Sequence, residues 1–91
     1  MNTKEKISCI CDELENFLHI KNTRYGDSAL SPIQIFSKLD ITNSLCVRID
    51  DKINRIKNSE ELRKNDIVDL IGYLVLLCID KDWLQFSDLI D

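Results

Sequence analysis

One segment constrains the fold of this 91-residue chain more than any other. Residues 66–80 are apolar on nearly every side when arranged as a helix, apart from a stripe formed by Asp66, Asp69, Tyr73 and Asp80. A helix that is apolar all round has to be covered by other helices. The rest of the chain is short, and a chain of this length buries only about 60 to 65% of its unfolded surface. We therefore expect subunits that share a core in a homo-oligomer.

Hydrophobic periodicity predicts the other elements of an all-α fold. Apolar residues at helical spacing predict helices over about residues 3–20, 32–39, 43–56 and 66–80. The polar, glycine-containing stretch 21–28 predicts a loop. The acidic tail, 81–91, carries large apolar side chains, which predict a short fifth helix that closes the core or docks on another subunit. The sequence predicts one domain over residues 1–91, a small bundle of four to five helices with its core within 3–80.

Capping residues predict where these helices begin. Ser31 followed by Pro32 is typical of an N-cap and a first helical residue. Thr42 or Asn43 is predicted to cap the next helix, and Asp66 is a candidate cap for the last one.

The net charge of −4 is distributed unevenly and limits the class of ligand. A binder of long nucleic acid needs an excess of Lys and Arg, which this chain lacks. Residues 21–64, however, hold nine basic and six acidic residues, a local charge of +3. The sequence therefore disfavours a long nucleic acid and leaves a small phosphorylated ligand as a candidate.

The sequence also predicts location and thiol state. No uncharged run exceeds the ten residues of 70–79, half of the roughly 20 that cross a bilayer. Charges also interrupt the N-terminal apolar stretch too early for a signal peptide. We expect no membrane association. The chain has four cysteines without a Cys-x-x-Cys pair, and His19 is its one histidine, so no zinc is expected. Cys11, Cys46 and Cys78 are predicted on apolar helix faces, as free thiols in a reducing cytoplasm.

Two aspartates on the apolar helix are the first candidate site. Asp66 and Asp69 are three residues apart and project from the same side, within reach of one divalent ion. Mg²⁺ in proteins is typically held by one or two carboxylates together with water and substrate phosphates. The structural alternative is that Asp66 caps the helix and Asp69 pairs with Arg48 or Arg55. The spacing leaves both interpretations open.

Basic residues supply two further candidates. Arg48, Lys52 and Arg55 lie along one helix edge, where three cations suit phosphate groups; the alternative is a solvated face with ion pairs through Asp51. In the predicted loop 21–28, backbone amides and basic side chains could surround an anion while an aromatic ring stacks on a base. The residues concerned are Lys21, Arg24 and Tyr25. An ordinary solvated loop explains the same residues.

Three motifs in a fixed order resemble a known family. They are Lys21-Asn22-x-x-Tyr25-Gly26-Asp27-Ser28, Arg48-x-x-Asp51-Lys52-x-x-Arg55 and Asp66-x-x-Asp69-Leu70-x-x-Tyr73-Leu74. Over residues 21 to about 80 the chain resembles small phage and bacterial proteins described as nucleotide modification associated domain 1. More distantly, the last motif is similar to the Glu-x-x-Asp helix of the all-α nucleoside triphosphate pyrophosphohydrolases, the MazG-like and dimeric dUTPase-like group.

The resemblance implies a nucleotide-binding helical oligomer. In it, Arg48, Lys52 and Arg55 contact phosphates, Tyr25 stacks on the base or closes the site, and Mg²⁺ is held by Asp51, Asp66 and Asp69. The pyrophosphohydrolases use a metal-activated water to attack the nucleotide phosphorus. Their first acidic pair is incomplete here, because Arg48 stands where the first acid is expected. Hydrolysis therefore remains open.

Two alternatives are kept. The first is a non-catalytic protein of phage type that sequesters a nucleotide or a cyclic-nucleotide immune signal in the host cytoplasm, and so acts against host defence. The second is a module that inhibits another protein, with Trp83 and Phe86 of the acidic tail as its contact surface.

Overall fold

The computed structural model describes residues 1–34 and 39–91. Within them the chain is all-helical, which confirms the predicted fold class. The elements are three α-helices and one 3₁₀ turn: α1 (Thr3–Tyr25), α2 (Ile41–Asn58), α3 (Lys64–Asp80) and η1 (Ser87–Leu89). The described residues thus contain three helices rather than four to five. No helix among them is long and apolar enough to cross a membrane.

Helix α1 is five residues longer than predicted. It begins after Asn2, whose side chain accepts a hydrogen bond from the backbone N–H of Glu5, and ends at Gly26, which has the left-handed φ of 60° that favours glycine. Lys21, Arg24 and Tyr25 therefore lie on the last helical turns and not in a loop. The predicted helix ended at residue 20, where the apolar residues at helical spacing end. Polar residues such as Lys and Arg also favour a helix, so the helix continues until a C-cap residue ends it.

The predicted helix over 32–39 is not found in its described part. Residues 32–34 and 39 are not helical, and positions 35–38 lie outside the described residues. Ser31 does not act as the predicted N-cap; its backbone N–H donates to the carbonyl of Asp27 in the turn after α1. Gln34 has a φ of 53°, which is incompatible with a right-handed helix.

Asp40 caps α2, and neither Thr42 nor Asn43 does. Its carboxylate accepts hydrogen bonds from the backbone N–H of Asn43 at 2.8 Å and from the side-chain amide of the same residue at 2.9 Å. The Thr42 hydroxyl instead donates to Asp80 at the end of α3, at 2.5 Å. Asp40 directly precedes the first helical residue, so its carboxylate can accept from the backbone N–H groups of the first turn. Thr42 and Asn43 already lie inside that turn.

Helices α2 and α3 form an antiparallel hairpin that contains the core. Thr42 meets Asp80 near one end and Lys52 meets Asp69 nearer the other, so the two helices run in opposite directions. The hydrophobic core of the described chain is small: it consists of Leu45 and Ile49 of α2. These two side chains pack where α2 crosses the apolar surface of α3.

Asp66 is not the N-cap of α3. Arg63 occupies that position without a side-chain cap bond, and Asp66 is the third helical residue. Its residue surface is 4% exposed, so it is a buried polar residue. A carboxylate in the first turn of a helix is favoured by the unpaired backbone N–H groups and by the helix dipole.

Helix α1 crosses the hairpin and touches α3 at few points. Leu18 lies against Gly72, and a Cβ atom at Gly72 would be 3.1 Å from Leu18 Cδ2. Since Lys21 meets Asp69, three residues before Gly72, α1 also runs antiparallel to α3. The close approach leaves no room for a large side chain, which is consistent with a glycine in the middle of α3.

Much apolar surface is left uncovered in the single chain. The accessible surface is 7773 Å², whereas a compact monomer of this mass exposes about 5,500 Å². The Cα radius of gyration is 15.0 Å, against about 12 Å for a compact domain of this length. The tail does not close the core, because its apolar residues Trp83, Leu84, Phe86, Leu89 and Ile90 are all exposed. Helix α3, expected to be fully surrounded, is only partly covered.

The four cysteines are free thiols. Cys78 is half-buried, as expected for a small apolar side chain, whereas Cys11 and Cys46 are exposed in the single chain together with Cys9.

Candidate ligand-binding cleft

A cleft of about 320 Å³ opens where the second half of α1 crosses α2 and α3. We call it the Asp69 cleft. Its wall on α1 consists of residues that recur every three or four positions, and its other wall comes from α3 with one contribution from α2. The lining residues are Phe17, Leu18, Lys21, Asn22, Tyr25, Asp27, Ser28, Ala29, Arg48, Val68, Asp69, Gly72, Tyr73 and Leu76.

Asp69 lies between two lysines that come from different helices. Its Oδ2 atom is 3.0 Å from Nζ of Lys52 on α2, and its Oδ1 atom is 3.5 Å from Nζ of Lys21 on α1. The Lys52 side chain is 14% exposed and that of Lys21 is 45% exposed, so the first pair is better shielded from water. Asp69 of α3 therefore forms salt bridges to both of the other helices.

The environment of Asp69 keeps it ionised. Burial acts to raise its pKa, but the hydrogen bond from Lys52 and the charges of Lys21 and Lys52 outweigh burial, so the pKa lies below its ordinary value of 3.8. At neutral pH Asp69 is therefore a carboxylate.

Two cations in the cleft lie against aromatic rings. Nζ of Lys21 is 4.9 Å from the centre of the Phe17 ring, and Cζ of Arg48 is 5.9 Å from the centre of the Tyr73 ring. Contacts of this kind hold a cation by its attraction to the ring face. Among the described residues, no carboxylate lies within salt-bridge distance of Arg48, so its guanidinium donors remain available to an anion.

The turn after α1 forms one edge of the cleft. Gly26 and Asp27 both have left-handed φ angles, 60° and 59°, and the side-chain amide of Asn22 donates to Oδ1 of Asp27 at 2.9 Å. Aspartate tolerates this conformation better than most residues. The turn brings Asp27 and Ser28 to the rim beside Tyr25, which is 66% exposed.

The structure brings together about half of the predicted site residues. Lys21, Tyr25, Arg48 and Asp69 line the cleft. Lys52 does not line it but contacts Asp69. Outside the lining lie Arg24, Asp51, Arg55 and Asp66. The cleft thus receives members of each of the three predicted groups, but not each group as a whole.

Several lining residues were absent from the predicted site. Phe17 and Asn22 belong to α1, Asp27 to the turn, and Tyr73 lies one helical turn after Asp69. A signal for the first wall was present, because Phe17, Lys21 and Tyr25 recur at four-residue intervals along a helix face. Because the predicted helix ended at residue 20, Lys21 and Tyr25 were not placed on the same helix face as Phe17.

The expected metal ligands are not grouped. Asp69 lines the cleft, whereas Asp51 and Asp66 do not. Within residues 1–34 and 39–91, no three His, Cys, Asp or Glu side chains are close enough together to hold a metal ion. The alternative expected for Asp69 was an ion pair with Arg48 or Arg55. The structure has ion pairs at this residue, but with Lys52 and Lys21.

Comparisons with known protein families, with curated proteins and with solved structures find no match for this chain.

Proposed function

We propose that the Asp69 cleft binds a small phosphorylated nucleotide. The observation that carries the proposal is the combination of Arg48, a cation without a carboxylate partner among the described residues, with aromatic rings on both walls. A nucleotide offers the matching chemistry, since its phosphate is an anion and its base is a flat ring. The resemblance of the three sequence motifs to the nucleotide modification associated proteins supports the same ligand class.

The residues divide naturally by role. Arg48 would donate two parallel hydrogen bonds to phosphate oxygens, and Lys21 would add a second positive charge from the opposite wall. Tyr25 and Tyr73 would stack on the base, a contact worth about 1 to 3 kcal/mol for each base. The cleft volume of about 320 Å³ lies at the lower end of the range of roughly 300 to 1,000 Å³ for small-molecule sites, which favours a single nucleotide.

Binding without hydrolysis is favoured over catalysis. Asp69, the one predicted metal ligand that lines the cleft, already has two ammonium groups within 3.5 Å. A Mg²⁺ ion would have to displace them or bind through the phosphates. Arg48 also stands where the pyrophosphohydrolases have an acidic residue. These two observations support a protein that sequesters a nucleotide or a cyclic-nucleotide signal.

The test is to incubate the purified protein with a panel of linear and cyclic nucleotides with and without Mg²⁺, remove free ligand, denature the protein and analyse what it releases. Sequestration predicts intact nucleotide from the wild type and little from Arg48→Met. Monophosphate with pyrophosphate would show hydrolysis instead. Retention of no nucleotide would contradict the proposal.

A second candidate function is inhibition of another protein by the acidic tail. It is favoured by the exposure of Trp83 and Phe86, each 58%, since aromatic residues are enriched in protein interfaces. Replacing both residues with Ala should leave nucleotide retention unchanged, so the two functions are separable by one double variant.

A further inference from the structure

The first half of α1 carries an apolar stripe that no described part of the chain covers. Every residue from 3 to 13 is exposed, although Ile7, Ile10, Cys11 and Leu14 follow helical spacing on one side. Ile7 and Ile10 are 56% and 62% exposed. A stripe of this kind on a helix ordinarily faces a partner.

The stripe continues into an open groove between α1 and α3. The groove has a volume of about 620 Å³, and α3 contributes Val75, Leu76 and Ile79 to it, while α1 contributes Cys11, Leu14 and Leu18. It is separate from the Asp69 cleft except at shared border residues, among them Leu18 and Leu76. The stripe is apolar and the groove is mostly so, although its lining also includes Glu15, His19, Asn22 and Asp27. One helix with an apolar face can therefore cover the two together.

The excess surface is large enough for a stable dimer. The chain exposes 7773 Å², about 2,300 Å² more than a compact monomer of its mass. Obligate dimers bury upwards of about 2,000 Å² in total, or about 1,000 Å² from each subunit. An interface of that size would use less than half of the excess surface of each subunit.

The charge distribution along α1 favours antiparallel over parallel packing of two α1 helices. Residues 3–8 carry two lysines and one glutamate, whereas residues 9–16 carry three acidic residues and no basic one. Parallel copies would place like charges side by side. Antiparallel copies that cross near Ile10 place Lys4 of each beside Glu15 of the other, and Lys6 beside Glu13, along the two edges of the stripe.

We infer that two copies of this chain associate through the first halves of their α1 helices, packed antiparallel, with the stripe of each copy entering the α1–α3 groove of the other. Ile7 of one copy then lies beside Leu14 of the second, and the two Ile10 residues meet near the two-fold axis. The inference does not depend on nucleotide binding, because the interface lies outside most of the Asp69 cleft.

The first experiment measures mass by light scattering and sedimentation over a range of micromolar concentrations. We expect the wild type to have twice the chain mass of 10.6 kDa. Ile10→Asp should raise the dimer dissociation constant on the order of 100-fold, because it buries a charge without a partner. Asn16→Asp adds a charge on the opposite face of α1 and should leave the dimer intact. A monomeric wild type, or equal masses for both variants, would overturn the inference.

The native thiols give a second measurement that needs no substitution. Cys9 and Cys11 are both exposed in the single chain, but Cys11 belongs to the stripe and lines the groove, whereas Cys9 lies on the outer side of α1. Alkylation followed by mass spectrometry should find Cys11 protected relative to Cys9, with protection lost on dilution. If Cys9 and Cys11 were alkylated at equal rates in a sample with the mass of a dimer, the dimer interface would not include the stripe, and the inference would be wrong.

Charge reversal tests the direction. Lys4→Glu with Lys6→Glu should weaken the dimer roughly tenfold, and adding Glu13→Lys with Glu15→Lys should restore it. Failure of the second pair to restore association would contradict the antiparallel arrangement.

Discussion

Asp69 and Lys52 form an ion pair that joins α2 to α3, with 3.0 Å between Oδ2 and Nζ. The carboxylate also reaches Lys21 of α1 at 3.5 Å, so one side chain links the three helices at the base of the cleft. Because the hydrophobic core of the described residues consists of Leu45 and Ile49, such a link contributes to how α1 is positioned.

Replacing Asp69 with Asn should destabilise the fold and loosen α1. The variant keeps the size of the side chain but leaves the Lys52 ammonium, 14% exposed, without its carboxylate. We expect a loss of about 1 to 2 kcal/mol, between the values for exposed and buried pairs. Urea unfolding followed by circular dichroism measures it. Asp27→Asn is the matched control, since it removes a lining carboxylate that contacts no lysine in the described chain; an equal loss in both variants would contradict the role of the pair.

The same ion pairs predict how stability depends on pH. The pKa of Asp69 is lower in the folded chain than in the unfolded chain, so its contribution is complete above the unfolded-state pKa and is lost as pH falls through the folded-state pKa. The difference in unfolding free energy between wild type and Asp69→Asn should therefore be constant near neutral pH and shrink in acid. Chemical unfolding at a series of pH values measures this difference. A difference that grows in acid would show that Asp69 is not stabilised as a carboxylate.

Gly72 should tolerate Ala but not a large residue. An added Cβ lies 3.1 Å from Leu18 Cδ2, the end of a flexible side chain that can shift by a few tenths of an ångström. Alanine also favours the helix by roughly 0.5 to 1 kcal/mol, so Gly72→Ala should be nearly neutral. Gly72→Leu should force α1 away from α3 and cost about 1 to 3 kcal/mol. Thermal unfolding compares the two; equal melting temperatures would argue against the close helix approach.

The sequence predicted the helical class, α3 and most of α2 because these depend on local periodicity. It could not rank neighbouring capping residues. Asp40, Thr42 and Asn43 are all residue types that cap helices well, and Asp40 is the one that does so here. The Thr42 hydroxyl instead donates to Asp80, a residue 38 positions away. Contacts of such long sequence separation leave no trace in local patterns.

The candidate site was predicted only in part, because it too depends on contacts between residues far apart in the sequence. Asp69 was expected to pair with an arginine of the neighbouring helix, and the partner chosen depends on the rotation of α2 about its axis. That rotation is set by Leu45 and Ile49 in the core, and it brings Lys52 to Asp69 and Arg48 to Tyr73. Arg55 lies along the same predicted edge but farther along α2, outside the residues that line the cleft. Spacing identified the helix face, and packing decided which of its residues reach the cleft.

The most direct test of the proposed function is calorimetric titration of nucleotides into wild type, Arg48→Met and Arg55→Met. Both arginines are exposed residues of α2, but only Arg48 lines the Asp69 cleft. We expect Arg48→Met to weaken binding by at least about tenfold, consistent with the loss of a charged hydrogen bond. Arg55→Met should leave the affinity within about twofold, since exposed charges outside the site are screened by salt. Equal affinities for wild type and Arg48→Met, or a larger loss in Arg55→Met, would contradict nucleotide binding in this cleft.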